Sequence, residues 1–318
     1  MTVPLSTSSS KTALPAVHWG KTWLLALVVA GIVLGSWEWF WRSRGFVPSI
    51  ADDAGIWYLQ RSSISSGTRI VILGASRAQL GLDPDLFEQQ TGEQPVNLSI
   101  DGNPPFAVLT DLAADPSFHG TVICSMLPRW LAEKSTSESR AEKWVRKYQK
   151  HDIQAQVDAF LSMKVQQTVV LRYPGLLPPR LIRQVEKKEW PNPPYAPMRP
   201  DRFRPASFTP DNTPKILQDR IRRDREISQA SIHVSSAELD RRISAINQDV
   251  RQIQARGGQV VFVRMPSSGE IRKIEAATWP RTTYWDRLAK EEEGIHIHFE
   301  DFQALNQFTC PDGSHLDQ

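Results

Sequence analysis

The stretch Ile70–Arg77, with the sequence IVILGASR, is an apolar run that ends at a glycine and is followed by a serine. Such a run is typical of a buried β-strand, and the glycine predicts a tight turn after it. In open α/β sheets, ligands bind at the carboxyl ends of the strands, where this turn would place Ser76. Ser76 is therefore a candidate nucleophile. The same pattern is also an ordinary helix start, in which the serine caps the helix.

The segment Cys310–Asp317, CPDGSHLD, offers the partners that a nucleophilic serine requires. A serine needs a base to take its proton, and the base needs a carboxylate to fix its tautomer. His315 is the candidate base, and Asp312 is the candidate group that orients it. Asp317 is a competing orienting group, but it lies beyond the histidine.

Strands and helices are expected to alternate through the rest of the chain, which predicts a parallel sheet with helices on both faces. The expected strands cover residues 69–73, 96–100, 121–126, 259–265 and 295–299. The expected helices cover residues 53–61, 84–90, 105–114, 235–256 and 284–293.

The N-terminal part predicts a membrane anchor at residues 22–41, an apolar run with Glu38 as its single charge. A helix of about 20 apolar residues spans the hydrocarbon core of a bilayer, and tryptophans at both ends of the run suit the membrane interfaces. Residues 1–21 are expected to form a disordered cytoplasmic tail and residues 42–67 a connector. A cleaved signal peptide and a buried core helix are the alternatives.

Length and composition leave room for one large α/β domain, expected at residues 68–318, and exclude some classes of function. The net charge of +3 over 318 residues makes no case for nucleic-acid binding. His296 and His298 share one face of the last strand, but no third metal ligand lies near them in sequence, so no metal site is expected. A disulfide between Cys124 and Cys310 is conceivable, because both lie near the carboxyl ends of predicted strands.

Residues 128–232 interrupt the alternation and are rich in proline, arginine and lysine. Prolines at this density predict a loop or lid inserted into the domain. Within the insertion, residues 180–225 carry twelve basic against six acidic side chains. The surplus of basic charge could attract an anionic polymer or lipid headgroups. The alternative is a solvated helix face on which the charges are paired at helical spacing.

Three segments of the sequence resemble motifs of the SGNH (GDSL-like) esterases and acyltransferases. Gly74-Ala75-Ser76 is similar to the first motif, and Asn97–Gly102 is similar to the second, whose glycine donates an N–H to the oxyanion. Asp312–His315 matches the final Asp-x-x-His motif. The asparagine of the third motif is absent from Leu127–Trp130, where it would follow the third strand.

The resemblance implies a flavodoxin-like three-layer sandwich with a five-stranded parallel sheet and a Ser76–His315–Asp312 triad. It implies an oxyanion hole formed by the N–H groups of Ser76 and Gly102, with Asn103 as a further donor. It implies no cofactor. Arg77 is a candidate substrate-binding residue. Ser267 and Ser268 follow the fourth strand and either line the pocket or form a turn.

The missing asparagine argues against a generic lipase, and similar departures occur in the membrane-anchored branch that includes alginate-acetylation proteins. The resemblance thus implies an acyltransferase or esterase on the extracytoplasmic side of the inner membrane, acting on acyl esters of a cell-envelope glycan. A multi-span membrane protein that passes acyl groups across the bilayer is an implied partner. The alternative is a non-catalytic envelope protein that binds polysaccharide or organises an assembly.

Overall fold

The N-terminal helix α1, Trp19–Arg42, is the only helix among the described residues that is long and apolar enough to cross a membrane. The computed structural model describes residues 19–64, 70–134, 137–150, 152–291 and 294–317. It divides the chain into two compact units, Met1–Gly45 and Phe46–Gln318. The expected disordered tail lies largely outside the described residues, and its last three residues belong to α1.

The larger unit is built on a five-stranded sheet in which all neighbouring strands are parallel, in the order β2-β1-β3-β4-β5. This is the flavodoxin-like strand order, so the predicted fold class is confirmed. The strands are β1 (Ile70–Leu73), β2 (Val96–Asn97), β3 (Thr121–Ser125), β4 (Gln259–Arg264) and β5 (Ile295–His298). The predicted first residue of β1, Arg69, lies outside the described residues.

The helices connect the strands and form the insertion. After α1 they are α2 (Ala54–Ser62), α3 (Ser76–Gly81), α4 (Pro84–Thr91), α5 (Phe106–Ala114), α6 (Pro128–Ala132), α7 (Arg140–Gln149) and α8 (Ile153–Gln166). They continue with α9 (Pro178–Glu186), α10 (Thr213–Ala230), α11 (Ser236–Gln254), α12 (Gly269–Thr278), α13 (Arg281–Glu291) and α14 (Gln303–Asn306). Each predicted helix is present, with ends shifted by a few residues.

The sheet is buried on both faces, as expected for parallel strands between two helical layers. Alternate residues of a strand point to opposite faces. Val71 and Leu73 lie in the main core with side chains of α5 and α11, whereas Ile72 between them is equally buried but outside that core cluster. The sequence alternation therefore produces a sheet that is packed on both faces.

Strand β2 is shorter than the predicted strand at residues 96–100 because the carbonyl groups that follow it bind side chains. The carbonyl oxygen of Ser99 accepts hydrogen bonds from Gln79 Nε2 at 2.9 Å and from Arg202 Nη2 at 2.7 Å. Arg202 belongs to the insertion and is fully buried. The insertion thus covers the edge strand of the sheet, which protects that edge from pairing with another chain.

The insertion is mostly helical, which corrects the expectation of a loop. Pro128, Pro178 and Pro214 stand in the first turns of α6, α9 and α10, where a backbone N–H has no partner within the helix and proline is tolerated. An antiparallel bridge between Glu133 and His233 holds the two ends of the insertion side by side.

The two cysteines are buried in the protein, and the two histidines of β5 pack against aromatic side chains. Cys124 and Cys310 are both buried, and no disulfide joins them. His296 stacks on Phe262 with ring centroids 5.3 Å apart, and His298 stacks on Phe299 at 5.0 Å. Both histidines of the predicted shared face therefore pack against aromatic rings.

Candidate active site

Ser76, His315 and Asp312 form a continuous chain of hydrogen bonds at the carboxyl edge of the sheet. The Oγ atom of Ser76 lies 2.9 Å from Nε2 of His315, and Nδ1 of His315 lies 2.7 Å from Oδ2 of Asp312. Ser76 is the first residue of α3, and the other two lie in the segment after α14. The structure therefore brings together residues that lie up to 239 positions apart in the sequence.

The turn before Ser76 requires glycine at position 74. Gly74 has a φ of +142°, which other residues rarely adopt. A Cβ atom added there would lie 2.8 Å from Cβ of Ser125, at the end of the neighbouring strand β3. The backbone therefore passes close to β3 and turns sharply, which presents the Ser76 hydroxyl at the strand end.

The loop that carries the histidine is held by its own aspartate and by Ser268. Oδ1 of Asp312 accepts hydrogen bonds from the N–H groups of Ser314 at 2.9 Å and of His315 at 2.8 Å. Ser268 accepts a hydrogen bond from the N–H of Cys310 and donates its own N–H to the carbonyl of Gly313. Ser268 thus acts on the site through the histidine loop.

Burial and neighbouring charges set the protonation states of the pair. Burial lowers the pKa of His315 to about 4, against the opposing effect of its hydrogen bond to Asp312. Burial alone would raise the pKa of Asp312, but the His315 hydrogen bond and the Arg220 charge hold it well below its usual range. At neutral pH the carboxylate is therefore ionised and the imidazole neutral. Nδ1 donates to Asp312, which leaves Nε2 able to accept the Ser76 proton.

Two backbone N–H groups beside Ser76 have the properties of oxyanion donors. Within the described ranges, the N–H groups of Ser76 and Gly102 donate to no other atom. Gly102 has a φ of +67° and lines the same cavity as Ser76. Asn103, the expected further donor, is engaged elsewhere, because its Nδ2 donates to the carbonyl of Asp101 and its Oδ1 accepts the N–H of Arg140.

The cavity at Ser76 is small, at about 50 Å³, and is lined mostly by polar side chains. A second cavity of about 440 Å³ adjoins it, since Gly102, Arg129 and Trp130 line both. The small cavity is further lined by Ala75, Arg77, Ser125, Leu127, Arg220, Asp224, Glu275, Ser314 and His315. The site therefore has a narrow compartment at Ser76 and a wide one beside it.

Arg77 lies in the small cavity and takes part in a buried charge cluster. Its Nη2 donates to Oε1 of Glu275 at 2.5 Å, and Arg264 donates to the other oxygen at 2.6 Å. Burial alone would raise the pKa of Glu275, but the two arginines lower it to about 2. Ser267 lines a neighbouring cavity beside Arg264 and Glu275 instead of the one at Ser76.

Asp317, the competing orienting group, contacts the insertion. Its Oδ1 accepts a hydrogen bond from the N–H of Phe208 at 3.1 Å. Asp312 is therefore the carboxylate that the structure places on His315, and Asp317 ties the chain end to the insertion.

Several residues of the insertion also reach the site, and the sequence motifs do not reveal them. Arg220 of α10 places its Nε 2.9 Å from Oδ2 of Asp312, and Arg129 and Asp224 line the cavity. Arg220 and Asp224 are four residues apart, which puts them on one helix face. Charge pairing at helical spacing, one of the two alternatives for the basic segment, is also present, since Arg222 on the same helix pairs with Asp219.

Comparison with known proteins adds no assignment: the sequence matches no protein-family model and no curated protein. The site is therefore interpreted from its motifs and its geometry.

Proposed function

We propose that the protein transfers a short acyl group from an ester through a covalent intermediate on Ser76. The Oγ atom attacks the ester carbonyl carbon while His315 Nε2 takes the hydroxyl proton. The tetrahedral intermediate then collapses, the bond to the leaving alcohol breaks, and His315 returns the proton to that alcohol. A hydroxyl of the acceptor, or water, attacks the acyl-serine in the same way and regenerates Ser76.

The observation that carries this proposal is the hydrogen-bond chain from Ser76 Oγ through His315 to Asp312, with distances of 2.9 and 2.7 Å. A neutral, buried imidazole between a hydroxyl and an ionised carboxylate is the arrangement that activates a serine. The N–H groups of Ser76 and Gly102 have no hydrogen-bond partner among the described residues, and both residues line the cavity at that hydroxyl. Free N–H groups at such a cavity suit the stabilisation of a developing oxyanion.

The size of the cavity at Ser76 favours a short acyl group such as acetyl. A volume of about 50 Å³ holds only a few water molecules. Its polar lining gives no apolar channel for a long acyl chain. A secreted lipase would require such a channel, so we favour a short-chain ester over a lipid.

The adjoining cavity of about 440 Å³ is in the size range of small-molecule sites and suits a sugar unit as acceptor or donor. Its lining combines the aromatic side chains Phe106 and Trp130 with the polar groups Thr110, Glu142 and Asp249. Aromatic faces with hydrogen-bonding groups around them are suited to a carbohydrate. A cell-envelope glycan is therefore the acceptor that we propose.

We further propose that α1 anchors the protein in the inner membrane, with the catalytic unit on the extracytoplasmic side. A multi-span membrane protein would then deliver acyl groups to Ser76. Both proposals rest on the apolar length of α1 together with the motif resemblance.

The test is covalent labelling of the full chain, in detergent micelles, with a fluorophosphonate probe that reacts with activated serines. Wild type should be labelled at Ser76, and Ser76→Ala and His315→Ala should not. Ser125→Ala is the matched control, because Ser125 lines the same cavity and should leave labelling intact. Hydrolysis of 4-nitrophenyl acetate should exceed that of 4-nitrophenyl dodecanoate. A folded wild type that stays unlabelled would contradict the acyl-transfer mechanism and favour a binding role.

A further inference from the structure

Arg129 lines three adjacent cavities: the small one at Ser76, the wide one beside it and the one that Ser267 lines. It is the second residue of α6, shortly after β3. Its Nε is buried without a partner. In the part of the chain that the structure describes, no group accepts a hydrogen bond from this guanidinium.

Arg129 differs from the other two arginines of the small cavity in having no ion pair with a carboxylate among the described residues. Arg77 Nη1 and Arg220 Nε are also buried without a hydrogen-bond partner, but both of these arginines are paired with carboxylates. Arg77 is bonded to Glu275, and Arg220 is paired with Asp312. Two further carboxyl groups, Asp224 and Glu133, interact with Arg129 electrostatically without a hydrogen bond to it. Burial raises the pKa of both carboxyl groups. A partly buried cation without a bonded acceptor is costly and suits a negative charge that appears in the cavity.

The acyl-transfer reaction produces such a charge next to Ser76. When the Ser76 Oγ–carbon bond forms, the π electron pair of the ester carbonyl moves onto its oxygen. On collapse, this pair re-forms the carbonyl while the bond to the leaving alcohol breaks. The backbone N–H groups of Ser76 and Gly102 supply two donors to this oxygen, and a guanidinium adds both N–H groups and a positive charge.

We propose that Arg129 is a catalytic residue that donates a side-chain hydrogen bond to the oxyanion of the tetrahedral intermediate. This inference rests on the proposed function of Ser76. Arg129 holds its proton throughout the cycle, as arginine does, so it stabilises charge without taking part in proton transfer. The unused donors become satisfied when the oxyanion forms, which makes the interaction stronger in the transition state than in the ground state.

The experiment compares wild type, Arg129→Met, Arg129→Gln and Arg129→Lys as full chains in detergent, with 4-nitrophenyl acetate and the fluorophosphonate probe. The ester is uncharged, so a lost salt bridge to a substrate anion cannot explain a slower reaction. Arg129→Gln retains an N–H donor and carries the test if the methionine variant does not fold. Arg272→Met is the matched control, because Arg272 is an arginine bonded to Glu300 and Asn306 outside the small cavity.

Arg129→Met is expected to lower kcat and the labelling rate by about 10²–10³-fold, the usual cost of one oxyanion donor. KM should change by less than about threefold, because the interaction forms only in the transition state. Arg129→Lys should recover part of the loss, and Arg272→Met should behave as wild type.

A reactive wild type with an unchanged kcat in Arg129→Met would overturn the role of Arg129 while leaving the acyl-transfer proposal intact. A defect confined to KM would overturn it equally, since it would make Arg129 a ground-state binding residue. A folded wild type that reacts with neither ester nor probe would overturn both proposals.

Discussion

The Nε atom of Arg220 lies 2.9 Å from the Asp312 oxygen that also accepts the hydrogen bond of His315 at 2.7 Å. The arginine makes an ion pair without the angle of a hydrogen bond. Arg220 belongs to α10, so the insertion contacts the triad directly. Helix α10 is held in place by contacts with α12, among them the ion pair of Arg225 with Glu270 and the hydrogen bond between Ser228 and Thr278.

Replacing Arg220 by methionine should shift the pH dependence of the reaction. The Arg220 charge lowers the pKa of His315 in addition to the larger effect of burial, so its removal should raise that pKa. The acid limb of the kcat/KM profile should then move to higher pH by about one unit, the scale of a nearby charge. Arg222→Met, on the exposed side of the same helix, should leave the limb in place. If the kcat/KM profiles of Arg220→Met and wild type coincided, the Arg220 charge would have no effect on the pKa of His315.

Asp312→Asn should abolish most activity with limited loss of structure. An asparagine oxygen can still accept the N–H groups of Ser314 and His315, which preserves the loop. Its amide can donate to Nδ1 of His315 and stabilise the wrong tautomer, for which a kcat loss of about 10³–10⁴-fold is expected. Initial rates with 4-nitrophenyl acetate measure this loss. Asp317→Asn should stay within about threefold of wild type, and equal losses in both variants would argue against the separate roles of these aspartates.

Gly74→Ala should destabilise the protein more than Gly92→Ala. Both glycines have positive φ, +142° and +76°, so each substitution introduces backbone strain of about 1–2 kcal/mol. Only at Gly74 would the new Cβ meet a crowded site, 2.8 Å from Cβ of Ser125, which adds about 1–3 kcal/mol. Urea unfolding of the full chain, followed by tryptophan fluorescence, gives both values. Similar destabilisation in the two variants would show that Ser125 moves aside.

The fold followed from local patterns because they are strong in this sequence. Asp83 caps α4, Gly92 ends it in the left-handed conformation, and Ser235 caps α11, as their positions in the sequence indicate. The five apolar runs each became a parallel strand. The prediction of a loop in the insertion is wrong because proline density does not distinguish loops from helix starts, and several of these prolines occupy first turns of helices.

Only part of the candidate site was visible in the sequence. Short motifs predict roles for Ser76, Gly102, Asp312 and His315. The structure places these four residues around one cavity or in hydrogen-bond contact with it. Arg129 and Arg220 reach the same cavity through the packing of the insertion, which no local pattern specifies. The nearest sequence signals for Arg220 are the basic surplus of residues 180–225 and its four-residue spacing from Asp224, and neither signal includes Arg129.

Acid should destabilise the protein in the pH window set by His315 and His298. Burial lowers the pKa of each from 6.5 to about 4 in the folded state. Between these values the unfolded chain binds more protons, so stability is fully present above about pH 6.5 and is lost as pH falls towards 4. The lowered pKa of Asp312 acts in a different window, since its contribution is lost only as pH falls below the usual aspartate value of 3.8.

The contribution of His315 is measured by urea unfolding at pH 7.5 and 4.5 for wild type and His315→Gln. Wild type should lose on the order of 2–3 kcal/mol more than the variant over this interval, because glutamine does not titrate. Asp224 and Glu133, whose pKa values are raised by burial, act in the opposite direction but are common to both proteins and cancel in the comparison. Equal losses in wild type and variant would mean that His315 titrates normally in the folded state. The imidazole beside Ser76 would then be partly protonated near neutral pH, and the reaction proposed for Ser76 would need alkaline conditions to reach its full rate.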